Sequence, residues 1–262
     1  MDYGLQDKLA IVTGSTSGIG RAIARTLQDE GARVVVNGRS QKTVDAALAK
    51  LDGGERTIGV AADVGTADGC EKLISAAKAA GNVDILINNA GIFESKPFEE
   101  ITDEDWLRFY EINVMSGVRL SRAVCQSMTE QGWGRIVFIS SESAINIPVE
   151  MIQYGMTKSA QLSISRGLAK LLKATGVTVN SVLSGPTWSE GVEALVEKMA
   201  GSDSMEDTKN EFFTEARPSS LIQRFITTDE VAALVAYVCS SQAAATTGAA
   251  TEASLILATS NN

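Results

Sequence analysis

The chain has 262 residues, 44% hydrophobic and 21% charged, with 23 Gly and 4 Pro, which supplies one sizeable core and excludes a disordered or miniature scaffold. Lys and Arg total 23 against 32 Asp and Glu, so the net charge is −9, the wrong sign for a footprint on nucleic acid or on an anionic membrane surface. Cys70, Cys125 and Cys239 lie far apart without a CxxC pair and histidine is absent, which removes the ligands of a disulfide framework and of the usual zinc site. A reduced, cytoplasmic setting is expected. The opening MDYGLQDKLA lacks a basic region followed by an apolar core, and no run of about eighteen apolar residues occurs, so a soluble, unexported protein without a membrane partner is expected.

Short β-branched runs alternate with longer stretches of helical period. A strand at 9–12 precedes a helix at 21–30, a strand at 33–36 a helix at 43–51, and a strand at 57–60 a helix at 69–80. Then come a strand at 83–87, a long helix at 102–130, a strand at 135–139, a second long helix at 150–174 and a strand at 177–182. The strands are apolar on both faces, which predicts a mostly parallel sheet of about seven strands with helices on both faces: an α/β, doubly wound, Rossmann-type domain. No Pro/Gly/Ser-rich linker or short repeat interrupts this rhythm, so residues 1–262 read as a single domain.

From about 189 to 227 the rhythm breaks: an amphipathic piece at 192–199, polar GSDSMEDTKN, then Glu211-Phe212-Phe213 and Arg217-Pro218. Two readings stand, a helical lid over a substrate pocket or a solvated insertion, and the lid is favoured because loops this long in compact domains are usually functional. A helix at 229–239, opened by Thr228-Asp229-Glu230, and a last strand within 253–258 close the chain.

After the first strand comes Thr13-Gly14-Ser15-Thr16-Ser17-Gly18-Ile19-Gly20, leading into a helix. Such a strand, glycine turn and helix unit lets backbone approach a pyrophosphate at the helix N-terminus, although the spacing GxxxGxG is one residue off the usual fingerprint. At the end of the second strand, where an acid would bind a ribose hydroxyl, the chain reads Asn37-Gly38-Arg39-Ser40 without any acid. Arg39 and Ser40 suit a 2′-phosphate, so NADP(H) is favoured over NAD(H); otherwise Arg39 merely opens a solvated turn.

Ser141 lies beyond the fifth strand, Tyr154 follows thirteen residues later, and Lys158 stands one helical turn after Tyr154. A phenol is a poor acid or base at neutral pH, and a neighbouring ammonium is expected to lower its pKa into a useful range.

With these motifs in order, the chain resembles a classical short-chain dehydrogenase/reductase over essentially its whole length, similar to 3-oxoacyl-carrier-protein reductases and broad ketoreductases. The supporting motifs are the glycine turn, Asp63-Val64, Asn88-Asn89-Ala90-Gly91, Asn113 in Glu111-Ile112-Asn113-Val114, Ser140-Ser141, and Tyr154 with Lys158. The resemblance implies that Tyr154 protonates a carbonyl oxygen held by Ser141, that Lys158 lowers the tyrosine pKa and holds the nicotinamide ribose, and that Asn113 supports a water relaying protons to Lys158. It implies that Asp63 and Val64 meet the adenine, that Asn89, Ala90 and Gly91 shape the turn beside the cofactor, and that Gly185, Thr187 and Ser189 meet the nicotinamide carboxamide. A homodimer or homotetramer formed through the long helices around Asn113 and Lys158 is implied as well.

The chain departs from the family where Ser184 replaces the usual proline after the sixth strand, which predicts a less rigid loop, and where the C-terminus lacks Asp-Gly-Gly. Candidate substrate contacts are Phe93, Glu142, Ser143, Ile147, Gln153, Trp188 and Phe212, with Glu142 suited to a cationic or hydroxylated substrate. The expected activity is NADPH-dependent reduction of a small ketone or the reverse oxidation of an alcohol; the alternatives are an NAD-dependent alcohol, steroid or sugar dehydrogenase and a non-catalytic Rossmann-type scaffold. An acyl-carrier partner would need a basic patch near the lid, where Arg217 and Arg224 are the only arginines beyond Ser189.

Overall fold

The computed structural model describes residues 2–200, 204–218 and 220–253. The chain runs β1 (Leu9–Val12), α1 (Gly18–Asp29), β2 (Arg33–Gly38), α2 (Gln41–Leu51), β3 (Thr57–Ala61), α3 (Ala67–Ala80) and β4 (Ile85–Asn88). It continues through α4 (Asp103–Tyr110), α5 (Ser116–Gln131), β5 (Gly134–Ser141), α6 (Ile152–Leu171) and β6 (Val177–Ser184). The last elements are β7 (Thr187–Trp188), α7 (Glu190–Ala200), α8 (Met205–Glu211), β8 (Ile226–Thr227), α9 (Thr228–Cys239) and β9 (Ala250–Glu252).

Seven strands form one sheet in the order β3-β2-β1-β4-β5-β6-β9, with every neighbouring pair parallel, while β7 and β8 pair separately. The doubly wound Rossmann-type architecture read from the sequence is therefore present. Strand β1 shows why its strands lack polar alternation. Ala10 and Val12 join a core with Ile23 and Leu27 of α1 and Val231 and Val235 of α9, whereas Leu9 and Ile11 join one with Leu73 of α3 and Leu120 and Val124 of α5. Both faces of the pleat are covered, so both parities are apolar.

Element boundaries moved where local chemistry overrides period. The helix expected at 102–130 is two helices, α4 and α5, joined by a π-turn at Glu111–Met115; one inserted residue is invisible to an apolar repeat. The helix expected from 150 begins at Ile152, after a 3₁₀ turn at Val149–Met151 that follows Pro148. The cap of α9 is Thr227 rather than Thr228: its hydroxyl accepts from Glu230 N while the Glu230 carboxylate accepts from Thr227 N. Within 189–227 the polar stretch read as a connector contains α8, because Ser204 accepts from Glu206 N and Asp207 N as an N-cap. The last strand is found at Ala250–Glu252, paired to Ser181–Leu183, rather than at 253–258, of which residues 254–258 lie outside those described. Ser184 extends β6 and pairs in register with Ser141, so the proline's absence lengthens a strand where a looser loop was expected.

The strand order reverses between β1 and β4, which opens a crevice at their carboxyl ends. Thr13 ties its two sides together. Its hydroxyl donates to Ile87 O at 3.1 Å and accepts from Asn89 N and Ala90 N, each at 2.9 Å. Thr13→Val keeps the shape but strands the Ala90 N–H, and is expected to cost about 1–3 kcal/mol of stability, seen as a melting temperature lower by several degrees, with Thr13→Ser near wild type. Equal melting of the valine variant and wild type would contradict the tie.

Candidate active site

The glycine turn after β1 is shaped by close approach. Gly14 has φ of +61°, and a Cβ there would stand 3.1 Å from Ala90 Cα; a Cβ on Gly20 would run into the Asn89 amide and the Gly14 carbonyl. Asn89 reinforces the turn through Nδ2, which donates to Thr13 O at 2.8 Å and Gly14 O at 3.2 Å. Ser17 holds the N-cap position of α1 without a side-chain cap bond, and next to it Gly18 N donates to Glu190 Oε2 at 2.9 Å, while Glu190 also pairs with Arg21. A carboxylate at this helix end shows that it attracts negative charge. Burial opposes the charge on Glu190, but bonds from its own backbone, Arg21 and Gly18 outweigh it and hold the carboxyl below its usual range.

Several residues expected to hold a dinucleotide are committed inside the fold. Ser15 Oγ donates to Val12 O and accepts from Asn37 N. Asn37 is buried: its Oδ1 accepts from Gly14 N at 3.3 Å and its Nδ2 donates to Val60 O and Ala62 O. Asn37 is thus a brace under the turn. Thr16 lies beside Gly38, Arg39 and Ser40 are exposed, and Ser40 caps α2. Among the described residues Arg39 makes no ion pair. Asp63 Oδ1 accepts from Gly65 N, and Val64 is buried. Ile19 and Ala90 keep some exposure, as do Gly91 and Ser189, while Gly185 is buried and its carbonyl accepts from the Thr187 hydroxyl at 2.9 Å.

Strand β5, the π-turn and α6 bring the remaining expected residues together. Ser141 ends β5, its Oγ accepts from Ser143 N at 3.1 Å, and its side chain lies near enough to the Tyr154 phenol to pull that group's pKa down. One turn along α6, Lys158 is 5% exposed; its Nζ donates to Ile139 O at 2.8 Å and lies 5.4 Å from the Tyr154 ring centroid. Burial pushes the Tyr154 phenol up to about 12; Ser141 pulls it down, Glu142 raises it and Arg217 lowers it. The Lys158 ammonium donates to the Ile139 carbonyl. Burial brings Lys158 itself down to about 8.

Asn113 is 1% exposed within the π-turn. Its Oδ1 accepts from Ile92 N at 2.8 Å and its Nδ2 donates to Ile92 O and Thr157 Oγ1. Gln161 donates to the Asn113 carbonyl at 2.6 Å. The side chain is a clamp with both amide hydrogens spent, leaving one lone pair on Oδ1 and one on the main-chain carbonyl for the relay the resemblance implies. Gln161 escaped the sequence reading, although it falls on the Tyr154 and Lys158 face of α6 at the next turn.

The proposed substrate contacts divide. Phe93, 45% exposed, meets Tyr154 edge to face at 6.4 Å, and Ile147 is exposed. Gln153 is buried, and its amide donates to Glu94 O, a scaffold bond. Trp188 and Phe212 both contact Phe225 inside the 189–227 segment, with Lys209 over the Trp188 ring. Glu142 is buried, its Oε1 accepting from Arg217 Nε at 3.1 Å and from Ser143 Oγ at 3.2 Å. Burial pushes the Glu142 carboxyl up, against the downward pull of Arg217. Arg224 is paired with Glu230, so both arginines of the segment stand in ion pairs.

Residues 8–200 match the short chain dehydrogenase family, and the chain belongs to that family. It is 46% identical over 253 residues to the uncharacterized oxidoreductase YvrD of Bacillus subtilis, spanning 95% of this chain and 96% of that protein. Its structure is similar to L-sorbose reductase from Gluconobacter frateurii complexed with NADPH and L-sorbose, with a TM-score of 0.90, 30% identity and coverage of 96% and 97% of the two chains. It is also similar to an actinorhodin polyketide ketoreductase variant with NADPH, with a TM-score of 0.85, 32% identity and coverage of 94% and 95%. No helix among the described residues is long and apolar enough to cross a membrane.

The buried Lys158 carries a stability consequence with a defined sign. In the folded chain it titrates near 8, below the ordinary 10.5, so between those values the unfolded chain binds more protons and stability rises with pH. The desolvation penalty is full below about 8 and relieved toward 10.5. Lys158→Met is therefore expected to gain in melting temperature relative to wild type more at pH 7 than at pH 9.5. A difference independent of pH would contradict the burial.

Proposed function

We propose that the chain is an NADP(H)-dependent carbonyl reductase that interconverts a small ketone and its secondary alcohol. The observation that carries this reading is the grouping of Ser141, Tyr154 and Lys158 at the end of the sheet where the glycine turn also opens, with Lys158 Nζ 5.4 Å from the Tyr154 ring centroid. The turn fits the cofactor: Gly14 and Gly20 admit no side chain, the α1 N-terminus already receives a carboxylate, and Arg39 is exposed where a 2′-phosphate would stand. In this reading Thr16, Ser17, Gly18 and Ile19 hold the pyrophosphate side, Arg39 and Ser40 the 2′-phosphate, Asp63 and Val64 the adenine, and Gly185, Thr187 and Ser189 the carboxamide. The L-sorbose reductase and the actinorhodin ketoreductase structures contain NADPH, which supports the same preference.

Bound there, the nicotinamide supplies or accepts the hydride. In reduction, Ser141 holds the carbonyl oxygen and Tyr154 donates its proton to it. A phenol at about 12 is protonated at neutral pH, the state an acid needs, and becomes a strong base once ionised. Lys158 has three N–H donors, of which one goes to Ile139, leaving two for ribose hydroxyls and a positive charge near the phenolate. Asn113 and Gln161 keep the π-turn and α6 aligned. Residues 189–227 form the lid of a single catalytic domain spanning 1–262. Exposed Leu107 and Tyr110 on α4 suit assembly into a homodimer or homotetramer, and the reaction is assigned to the cytoplasm.

Two substitutions test this. Tyr154→Phe is expected to lose about 10²–10⁴-fold in NADPH-dependent ketone reduction while NADPH still raises its melting temperature; retained turnover would overturn the mechanism. Arg39→Asp is expected to weaken NADPH binding about tenfold or more in a fluorescence titration and leave NADH nearly unchanged. Equal loss for both nucleotides would contradict the 2′-phosphate assignment.

A further inference from the structure

Glu142 follows the catalytic serine directly, yet its carboxylate is only half used. Oε1 takes Arg217 Nε and Ser143 Oγ, whereas Oε2 is buried without any hydrogen-bond partner. A carboxylate oxygen left dry and unpaired is costly, and it persists where something else is meant to meet it. Arg217 reaches it from the segment 189–227, crossing Phe212 with its guanidinium 5.4 Å from the ring centroid. The acid is thus shared between the catalytic end of β5 and the lid. Ser143 joins the pair to the catalytic serine, its N–H donating to Ser141 Oγ and its hydroxyl to Glu142 Oε1, and both Glu142 and Arg217 act electrostatically on the Tyr154 phenol.

The chemistry of the pair selects its guest. Arg217 already neutralises Glu142, so an ammonium gains no unpaired charge, and a carboxylate would face Oε2 directly. What Oε2 lacks is a neutral donor. The exposed side chains Phe93, Ile145, Ile147 and Val149 around this stretch are apolar, while the exposed Glu150 carboxylate acts electrostatically on Glu142. Resting on the carbonyl-reductase reading above, we infer that Glu142 Oε2 accepts a hydrogen bond from a hydroxyl one to three bonds from the substrate carbonyl, making the substrate a hydroxyketone with an apolar tail. Arg217 is a positioning residue: it orients Glu142 and seats the lid over the bound hydroxyl.

The test compares kcat/KM for 2-hexanone, 1-hydroxy-2-hexanone and 4-hydroxy-2-hexanone with NADPH. Wild type is expected to prefer at least one hydroxyketone over 2-hexanone by about tenfold or more, because leaving the buried acceptor unpaired penalises the plain ketone. Glu142→Gln, which presents an amide N–H₂ where the free oxygen stood, is expected to lower that ratio by about tenfold, while Glu142→Asp retains part of it. An NADPH-induced rise in melting temperature checks that each variant is folded. The wild-type ratio needs no variant: reduction of 2-hexanone without hydroxyl preference overturns this inference alone, and so does a preference unchanged in Glu142→Gln. No NADPH consumption with any of the three ketones overturns both this inference and the reading beneath it.

Discussion

The site depends on one constraint, the parallel register of β1, β4, β5 and β6. Val12 stands opposite Ile87 and Ser141 opposite Ser184, so the connections that leave these strands begin at one edge of the sheet. In a parallel sheet buried on both faces, a slip of one residue would exchange the two cores, which pins the register firmly. Thr13 then locks the β1 and β4 ends through one hydroxyl, and Ser140 Oγ donates to Lys158 O at 3.0 Å, fastening α6 to β5. Catalytic geometry follows from packing that hydrophobic burial has already stabilised.

The same packing sets the electrostatics. Lys158 and Glu142 are each 5% exposed, and burial disfavours the charge on both. Tyr154 is raised for the same reason. The fold spends stability to hold groups whose protonation can change during a turnover, a trade common at active sites. The support around them is polar but satisfied where it matters: Asn113 clamps Ile92 and Thr157, Gln161 holds the Asn113 carbonyl, and Asn37 braces the glycine turn. Among the described residues Glu142 Oε2 has no hydrogen-bond partner, and Gln161 Oε1 shares that state although its amide nitrogen is bonded.

The architecture could be read in advance because both strand parities are apolar and because the glycine turn and the Tyr154 and Lys158 pair have spacings with a mechanical meaning. What could not be read turns on single residues. A π-turn adds one residue at Glu111–Met115 and leaves the apolar repeat nearly intact, so α4 and α5 merged. Asn37 stands where ligand contacts are expected, but its amide is consumed by three backbone partners that only the sheet register brings near. The pairing of Arg217 with Glu142 spans 75 positions and depends on how the lid returns to β5, which no local pattern encodes. Lys158 was expected to lower the phenol's pKa and to hold the nicotinamide ribose, and the Ile139 carbonyl that its ammonium meets is a backbone partner no local pattern marks.

The most direct measurement follows the hydride itself. Wild-type protein is incubated with a ketone and NADPH carrying deuterium at the transferable C4 position, and the product alcohol is analysed by mass spectrometry and NMR. Deuterium on the carbinol carbon, from one face of the nicotinamide only, is the result expected of a reductase built on Ser141, Tyr154 and Lys158. Alcohol without the label, or oxidation of NADPH without any alcohol, would contradict it.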